Sequence, residues 1–413
     1  MRRASAWLAT LLASAAAAAP ASGPPAQEGL RLIEALETAP LAVVGELGEP
    51  GALDTHGWRA TLTVESALVG DAKPGDPVVI AWEELAAERT PRFAAGDRVL
   101  VALEPLASGS LWRARFPDVK EYVRVRAVAQ RGLAFLRSPS LGSLEVLAHF
   151  LALPPGERAG PTGQAHLLAL AADGERALAV SAAGRLATLR GDHLEPERAA
   201  LALRALARGE RDDELADALL AWVDRAQPDG LAAPLDAALA ANAGAPAIFV
   251  RARGLLPGGV ASDRLTVLLA APSPAQRAAA AGAATPAQRD RLAQLARNDP
   301  APEVRSAALR RLVRVEGPDS LETLLATFSD REPTLRAEAA QLVAGLGPAA
   351  VPRLREVALG WPDPAPRTAV VALGLVNSAD ASAVLRELAD THPDPTVRAL
   401  AGVAIGRPLG HAD

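Results

Sequence analysis

The sequence predicts a two-domain, mostly α-helical protein in which a small antiparallel β-barrel or sandwich precedes an α–α superhelix. Three observations support this fold class. A Pro-to-Arg segment recurs every 31 residues near the C-terminus, and strand-like alternation of apolar and polar residues is confined to about residues 40–126. Half of the 413 residues are hydrophobic but only 3% are aromatic, and the alanines that supply much of this half suit closely packed helices.

The N-terminus is typical of an export signal. Arg2-Arg3 is followed by an uncharged stretch rich in Ala and Leu over residues 4–19, and Ala19-Pro20-Ala21 resembles a cleavage site. We therefore expect a signal peptide over residues 1–21 and a periplasmic or secreted bacterial protein. An uncleaved anchor is the alternative, but the stretch is shorter than the roughly 20 apolar residues of a spanning helix. No later segment is long enough, so no membrane span is expected after cleavage.

Residues 22–39 are predicted to form a linker with a short helix, and residues 40–126 a small β-domain. Runs such as residues 58–65 partly alternate apolar and polar side chains, as a half-buried strand does. Turn signals such as Lys73-Pro74-Gly75-Asp76 separate these runs. The pattern gives about five or six strands, which suits a small antiparallel barrel or sandwich.

The turns and core residues of this region resemble an OB or netrin-like β-domain of exported bacterial proteins. The resemblance rests on residues 64–70, on Pro74-Gly75-Asp76 and on residues 93–101. OB barrels can bind nucleic acid through aromatic side chains and basic grooves. Here the aromatics, such as Trp58 and Trp112, are not interleaved with a basic cluster, so core or interface roles are predicted for them. With a net charge of −5, no nucleic-acid partner is expected.

Residues 127–163 are predicted to form a junction with a short helix at about residues 141–153, and residues 164–410 an array of helical repeats. In the clearest part of the array, each segment begins with a Pro, which suits the first turn of a helix because its missing N–H needs no partner there. The four segments are Pro302-Glu303-Val304-Arg305, Pro333-Thr334-Leu335-Arg336, Pro364-Ala365-Pro366-Arg367 and Pro395-Thr396-Val397-Arg398.

The repeat unit is predicted to be a helical hairpin, because an apolar helical face follows each Pro-to-Arg segment and a second helix precedes it. Four upstream stretches each read as one more helix pair in poorer register. About eight units would stack, each burying its apolar face on its neighbours. The upstream stretches are residues 165–189, 196–223, 231–256 and 261–284.

The array resembles the HEAT-repeat family, in the short form found in bacteria and in phycobilin-lyase-like proteins. The motif is an acidic residue, Pro, an apolar residue and Arg, which appears here as Asp299…Pro302…Val304-Arg305 and again from Asp330. The resemblance implies that the Asp caps the turn and that the Arg ties adjacent repeats together, as carboxylate capping and Arg–carboxylate pairing allow. The last two units depart from the motif, with Trp361 and His392 at the acidic position and Asp363 and Asp394 nearby.

No catalytic, cofactor-binding or metal-binding residue is predicted. The chain has no Cys, which excludes thiol catalysis, disulfides and Cys-ligated metals. The six histidines (His56, His149, His166, His193, His392 and His411) form no local zinc motif, although a set assembled from distant helices stays open. Leu141-Gly142-Ser143-Leu144 lacks the second Gly of a nucleophile elbow, and the acidic pairs Glu83-Glu84 and Asp212-Asp213 are interpreted as solvated surface.

Two sets of arginines were weighed as sites. Arg305, Arg310, Arg311 and Arg314 form a local basic cluster that could bind an anionic partner or a phosphate, but acids such as Glu303 lie nearby and a solvated helix face is favoured. Arg305, Arg336, Arg367 and Arg398 recur once per repeat. Such recurrence indicates scaffold, because catalytic groups occur once.

We therefore predict an exported, non-enzymatic scaffold that binds a protein or peptide partner on the inner helical surface of the solenoid. If the second helix of each unit lines that surface, the small residues Ser306, Ala337, Thr368 and Ala399 flank it. Two alternatives remain. One is a lyase- or isomerase-like enzyme of the phycobilin-lyase type, and the other is a structural protein of the cell envelope that relies on the β-domain for anchoring.

Overall fold

A computed structural model describes residues 32–53, 57–83, 93–105, 125–128, 135–190, 193–241, 244–376 and 378–406. These residues divide into two compact units. The sheet unit comprises residues up to 238 together with 255–257, and the repeat unit comprises residues 239–254 and those from 258 onward. The expected signal peptide lies outside the described residues.

The predicted antiparallel strands are present as a mainly antiparallel sheet, which follows one short helix and precedes all the other described helices. The bounds of the strands are β1 (Leu41–Leu47), β2 (Gly51–Ala52), β3 (Gly57–Val69), β4 (Pro77–Glu83), β5 (Arg98–Pro105), β6 (Val125–Val128) and β7 (Phe135–Arg137). Strands β1, β4 and β5 lie within two residues of the runs expected at 41–45, 78–82 and 98–103, and β3 extends four residues beyond the run expected at 58–65. The run expected at 121–125 meets β6 only at Val125, since residues 121–124 lie outside the described residues, and the short strands β2 and β7 were not expected.

The strands pair in the order β1–β3–β4–β6–β5–β7, with β2 on β3. β1 also pairs with β5 over residues 41–46, so the pairings return from β5 to β1. The pairings of β6 with β4, which is parallel, and with β5 cover only three residue pairs each. The described strands form a single sheet. Of the two predicted forms, barrel or sandwich, the barrel is not confirmed.

The register between β1 and β3 depends on a glycine. The pairing shifts between Val44 and Gly45, and a Cβ at Gly45 would lie 2.3 Å from the carbonyl oxygen of Thr63. Only glycine permits such a close approach of two backbones. β3 alternates buried and exposed residues along residues 58–65, whereas the middle of β5, residues 99–103, is buried throughout.

Helix α1 (Leu32–Thr38) explains the continuous burial in β5, because α1 packs against both β5 and a helix of the sheet unit. The predicted short helix of the linker is therefore a core element. Three of the aromatics, Trp58, Trp82 and Phe93, are buried in this unit, as predicted. Trp112, Phe116 and Tyr122 lie outside the described residues.

Helices α2 to α6 complete the sheet unit. α3 packs on α4 and α5, and α4 packs on α6, so the two hairpins α3–α4 and α5–α6 lie side by side as repeats do. The predicted junction helix is present as α2. The bounds are α2 (Leu141–Ala152), α3 (Pro161–Asp173), α4 (Arg176–Ala187), α5 (Pro196–Gly209) and α6 (Asp213–Ala226), and the next helix, α7 (Ala232–Ala241), crosses the division between the units.

The repeat unit consists of helical hairpins whose Pro-to-Arg helices pack in succession, α10 on α12, α12 on α14, α14 on α16 and α16 on α18. Three of the four predicted segments open a helix at their Pro, and the third helix begins one residue later. The bounds are α8 (Ala247–Leu255), α9 (Ser262–Leu268), α10 (Pro274–Ala283), α11 (Arg289–Asn298), α12 (Pro302–Glu316), α13 (Leu321–Ala326), α14 (Pro333–Gly345), α15 (Val351–Gly360), α16 (Ala365–Leu375), α17 (Ala379–Thr391) and α18 (Pro395–Ile405).

The predicted apolar faces are buried with three exceptions, the first of which is the half-buried Val371 on α16. Ala326 is exposed, because α13 ends there and a 3₁₀ turn follows, which buries Leu324 and Phe328 instead. Ile405 is also exposed, as is Val403 beside it. Both lie on α18, the last described helix, and no further described helix packs against that face.

Candidate interaction surface

Adjacent repeats are joined by Asp–Arg pairs, and the first of them links α10 to the turn after α11. Arg277 donates Nε to Asp299 Oδ2 at 2.7 Å and Nη2 to Asp299 Oδ1 at 2.9 Å, a bidentate geometry. Asp299 Oδ1 also accepts the N–H of Ala301 at 3.0 Å. One carboxylate therefore caps a turn and holds the preceding helix, as the family resemblance implied.

The acidity of Asp299 reflects these contacts. Burial alone would raise the pKa of its carboxyl, but the hydrogen bonds from Arg277 and from the Ala301 N–H, with the charges of Arg277 and Arg291, together lower that pKa below its ordinary value of 3.8. The hydrogen bond to Asp299 in turn raises the pKa of the Arg277 guanidinium. The pair is therefore ionised at neutral pH.

The second pair repeats this arrangement one unit later and contains the most buried arginine of these pairs. Arg305 is 3% exposed, and its Nη2 donates to Asp330 Oδ1 at 2.8 Å. Its Nη1 donates to the carbonyl oxygen of Asp299 at 2.8 Å. Asp330 also accepts the N–H of Glu332 at 2.9 Å, so the same two roles fall on one carboxylate.

The last two units satisfy the same positions with other groups. Arg336 donates to the carbonyl oxygen of Asp330 at 2.6 Å, but Trp361 stands where the next acid would be. Arg367 Nε lies 2.9 Å from Asp363 Oδ1, and its Nη2 lies 3.9 Å from Asp394 Oδ2. Nearby acids thus replace the missing one for Arg367.

His392 takes over the turn-capping role of the aspartate. Its Nδ1 accepts the N–H of Asp394 at 3.0 Å, as Asp299 and Asp330 accept the N–H two residues ahead. An accepting Nδ1 carries no proton, so Nε2 carries it and donates to the carbonyl oxygen of Ala358 at 2.9 Å. The ring is buried, and it ties α17 to the end of α15.

The preceding helices of the hairpins carry a second, exposed set of cross-links. Arg353 on α15 donates Nε to Glu322 on α13 at 2.8 Å, and Arg355 pairs with Glu387 on α17. The hydrogen bonds lower the pKa of both glutamates. Exposed pairs of this kind contribute little stability, but their spacing of 31 or 32 residues shows the same stacking register on both layers.

The four small residues expected to flank a partner do not form an open row. Ala337 and Thr368 are buried, and the Thr368 hydroxyl donates to the carbonyl oxygen of Phe328 at 3.3 Å. Ser306 is half-buried and donates to Glu338 on α14 at 2.6 Å. Of the four, Ala399 alone is exposed. These positions serve contacts between helices more than an outer surface.

The basic cluster divides into a structural and a surface part. Arg305 belongs to the structural part, because it pairs with Asp330 in the interior. Arg310, Arg311 and Arg314 lie in the C-terminal half of α12. Arg310 is exposed and lies 3.3 Å from Glu338. Arg311 is half-buried and donates Nε to the carbonyl oxygen of Ala284 at 2.5 Å. We call Arg310, Arg311 and Arg314 the arginine patch.

The residues considered for catalysis occupy structural positions where they are described. Asp212 accepts the N–H of Leu215 at the start of α6 and lies 2.7 Å from Arg176, and Ser143 N–H donates to the Ser140 hydroxyl at the start of α2. His193 Nδ1 lies 2.9 Å from Asp229 Oδ2. His56, His411 and Glu84 lie outside the described residues.

The described part of the chain contains neither a metal-binding cluster nor a helix suited to a membrane. Among these residues, no group of three or more His, Asp or Glu side chains is placed to hold a metal ion. None of the described helices has the length and apolar character needed to cross a bilayer.

The helical hairpins of the repeat unit, stacked at a spacing of 31 residues, define this part of the protein as a helical repeat array. Residues 322–406 match the family model of HEAT repeats. The predicted resemblance is thereby confirmed over this part of the repeat unit. No curated protein matches the chain.

Proposed function

We propose that this protein is an exported, non-enzymatic scaffold whose repeat unit binds a protein or peptide partner. The observation that supports the proposal is the match of residues 322–406 to HEAT repeats, which are generally protein-interaction scaffolds. Stacked hairpins present a long, continuous helical surface, and such surfaces bind partners without a deep pocket.

The polar contacts agree with a scaffold. The residues that mark each repeat hold the units together, as Arg305 does with Asp330 at 2.8 Å. Some arginines outside these pairs, such as Arg314, are exposed and available to a partner.

Partner binding is tested with the full chain carrying a C-terminal tag. The protein is produced in a Gram-negative bacterium, cross-linked in cells and recovered under denaturing conditions. The proposal expects a stoichiometric cross-linked protein that a tagged, unrelated periplasmic protein does not recover. If no such species forms at any expression level, the scaffold proposal is wrong.

Export is tested separately by N-terminal sequencing of the chain released by osmotic shock. Residues 1–21 carry the predicted signal, so the released chain should begin at Ser22. A chain that stays in the spheroplasts with residue 1 intact would contradict export.

The two alternatives give different observations. A lyase- or isomerase-like enzyme requires turnover of a chromophoric substrate by the purified chain. A structural protein of the envelope requires that the mature chain sediments with membranes or wall material rather than with the osmotic-shock fluid.

A further inference from the structure

We propose that the arginine patch on α12 is the docking point for the carboxylate side chains of an acidic segment of the partner protein. This inference rests on the proposed function and names the chemistry of the partner. The patch contains guanidinium groups whose N–H donors are only partly used within the described part of the chain.

Most nitrogen atoms of the patch make no hydrogen bond to the described part of the chain. Arg311 uses Nε for the carbonyl oxygen of Ala284, and neither of its Nη groups has a hydrogen bond to a described residue. Arg314 is exposed and has no hydrogen bond or ion pair within the same residues. Each guanidinium carries five N–H donors in a planar fork, so several remain for a ligand.

The two arginines repel each other in the unbound protein. Burial, and then the charge of Arg314, lower the pKa of the Arg311 guanidinium. The acids beside the patch are already engaged, since Glu316 lies 3.4 Å from Arg289 and Glu338 pairs with Arg310. A negative group from outside would therefore relieve a repulsion that the neighbouring side chains do not.

The neighbouring helices leave the patch open. Gly282 on α10 and Gly345 on α14 are both exposed, and a Cβ at either would meet nothing within 4 Å. Gly345 occupies the position 31 residues after Arg314. A peptide backbone could therefore approach the guanidinium groups without a clash on either side.

The size and charge of the patch favour an acidic peptide. Residues three and four apart on a helix lie about 5–6 Å apart at Cβ, so Arg314 neighbours both Arg311 and Arg310, which reach toward Ala284 and Glu338 on opposite sides. Arg311 and Arg314 therefore match one or two carboxylates. Planar guanidinium groups pair with carboxylates in a bidentate manner. A nucleic-acid backbone would need a longer single-sign stripe, and the net charge of −5 opposes it.

The experiment measures binding of fluorescein-labelled octaglutamate to the full chain by polarisation at low salt. The variant Arg311→Gln/Arg314→Gln is compared with wild type, and Arg386→Gln, an exposed arginine on α17, is the matched control. We expect the double variant to bind about tenfold or more weakly and the control to bind within about twofold of wild type. Added NaCl should weaken binding to the wild-type chain.

A purely structural role gives the opposite result. Arg314 lies in the last turn of α12, where a cation interacts favourably with the helix dipole. If the patch only stabilises the helix end, the double variant unfolds at lower urea concentration but binds the probe as wild type does. If the double variant does not fold, the same binding and urea-unfolding measurements are made on the single variant Arg314→Gln, which should also bind octaglutamate more weakly than wild type.

The cross-linking assay separates this inference from the proposed function. If wild type and the double variant capture the same partner in equal amounts, the scaffold stands and the docking point is wrong. If the wild-type chain shows no saturable binding of octaglutamate, the docking point is wrong whatever partner is captured. If no partner is captured at all, the proposed function fails.

Discussion

The buried pair between Arg305 and Asp330 should be a strong link between two repeats. The substitution Arg305→Ala removes the 2.8 Å contact with Asp330 and the 2.8 Å hydrogen bond to the carbonyl oxygen of Asp299. It also leaves a carboxylate with little solvent access, since the Asp330 side chain is 13% exposed. Removal of one partner from a buried ion pair costs about 3–5 kcal/mol.

Two further arginines make the expected cost a graded series. Arg336 is half-buried and keeps one hydrogen bond, to the carbonyl oxygen of Asp330, so Arg336→Ala should cost about 1 kcal/mol. The side chain of Arg353 is 37% exposed and pairs with Glu322, whose side chain is 63% exposed, so Arg353→Ala should cost less than about 1 kcal/mol.

The assay is urea unfolding at pH 7, followed by circular dichroism at 222 nm, with the three variants and wild type measured side by side. The predicted order of destabilisation is Arg305, then Arg336, then Arg353. An Arg305→Ala chain as stable as the Arg353→Ala chain would refute the view that the Arg–Asp pairs hold the units together.

Three other predictions follow from single contacts. The Ile33 N–H donates to Ser181 Oγ at 2.8 Å in a fully buried site. Ser181→Ala should therefore cost about 1–3 kcal/mol of stability and speed amide hydrogen exchange in α1. Unchanged exchange in α1 would contradict its anchoring by this bond. The pKa of Asp299 is lowered in the folded chain. The stabilisation that its ionised carboxylate provides is therefore present above its ordinary pKa of 3.8 and is lost as the pH falls below that value. In urea unfolding, wild type should be more stable than Asp299→Asn at pH 7, and this difference should shrink below pH 3.8. His392→Ala should cost about 1–3 kcal/mol of stability. His392→Asn should cost less, since an amide oxygen can still accept the Asp394 N–H. Equal unfolding midpoints for the two variants would show that this hydrogen bond contributes nothing to stability.

The repeat architecture could be predicted because particular residues recur at a fixed spacing of 31 positions. Pro302, Pro333 and Pro395 mark helix starts, and Asp299 and Asp330 perform the capping and pairing that the motif implies. The helix starts and the turn caps depend on local backbone geometry, which a short stretch of sequence determines. The pairing joins neighbouring repeats and could be predicted because the motif recurs every 31 residues.

Long-range partners could not be predicted in the same way. The sequence assigns α1 to a linker, because its seven residues carry no sign that they pack on a helix about 150 residues later. The hydrogen bond from Ile33 to Ser181 and the pairing of Arg185 with Glu37, at 2.7 Å, are visible only once the chain is folded. The replacement of an aspartate by His392 is of the same kind, since it depends on the Ala358 carbonyl.

The candidate surface was predicted in part. The basic cluster on α12 was recognised from the spacing of its arginines, but the separation of Arg305 from the other three depends on burial. The prediction that four small residues flank a partner was wrong for Ala337 and Thr368, because helix stacking buries them. Which face of a helix packs on its neighbour is decided by the crossing of two helices, and a repeat spacing alone does not fix it.

The central claim, that the Pro-to-Arg helices stack side by side one repeat apart, is tested most directly by an engineered disulfide. The chain has no Cys, so Gly374→Cys/Ala404→Cys introduces the only two thiols. A Cβ at Gly374 lies 3.2 Å from the Cβ of Ala404, close to the roughly 3.5–4.5 Å of a disulfide. The control pair is Gly345→Cys/Ala404→Cys, since a Cβ at Gly345 meets nothing within 4 Å.

The measurement is the free-thiol content of the folded monomer after mild air oxidation. Stacked repeats predict that the 374–404 pair loses both thiols within one chain while the control pair keeps them. If both thiols of the 374–404 pair stay free, or if the two pairs oxidise equally, α16 and α18 are not neighbours and the repeat account is contradicted.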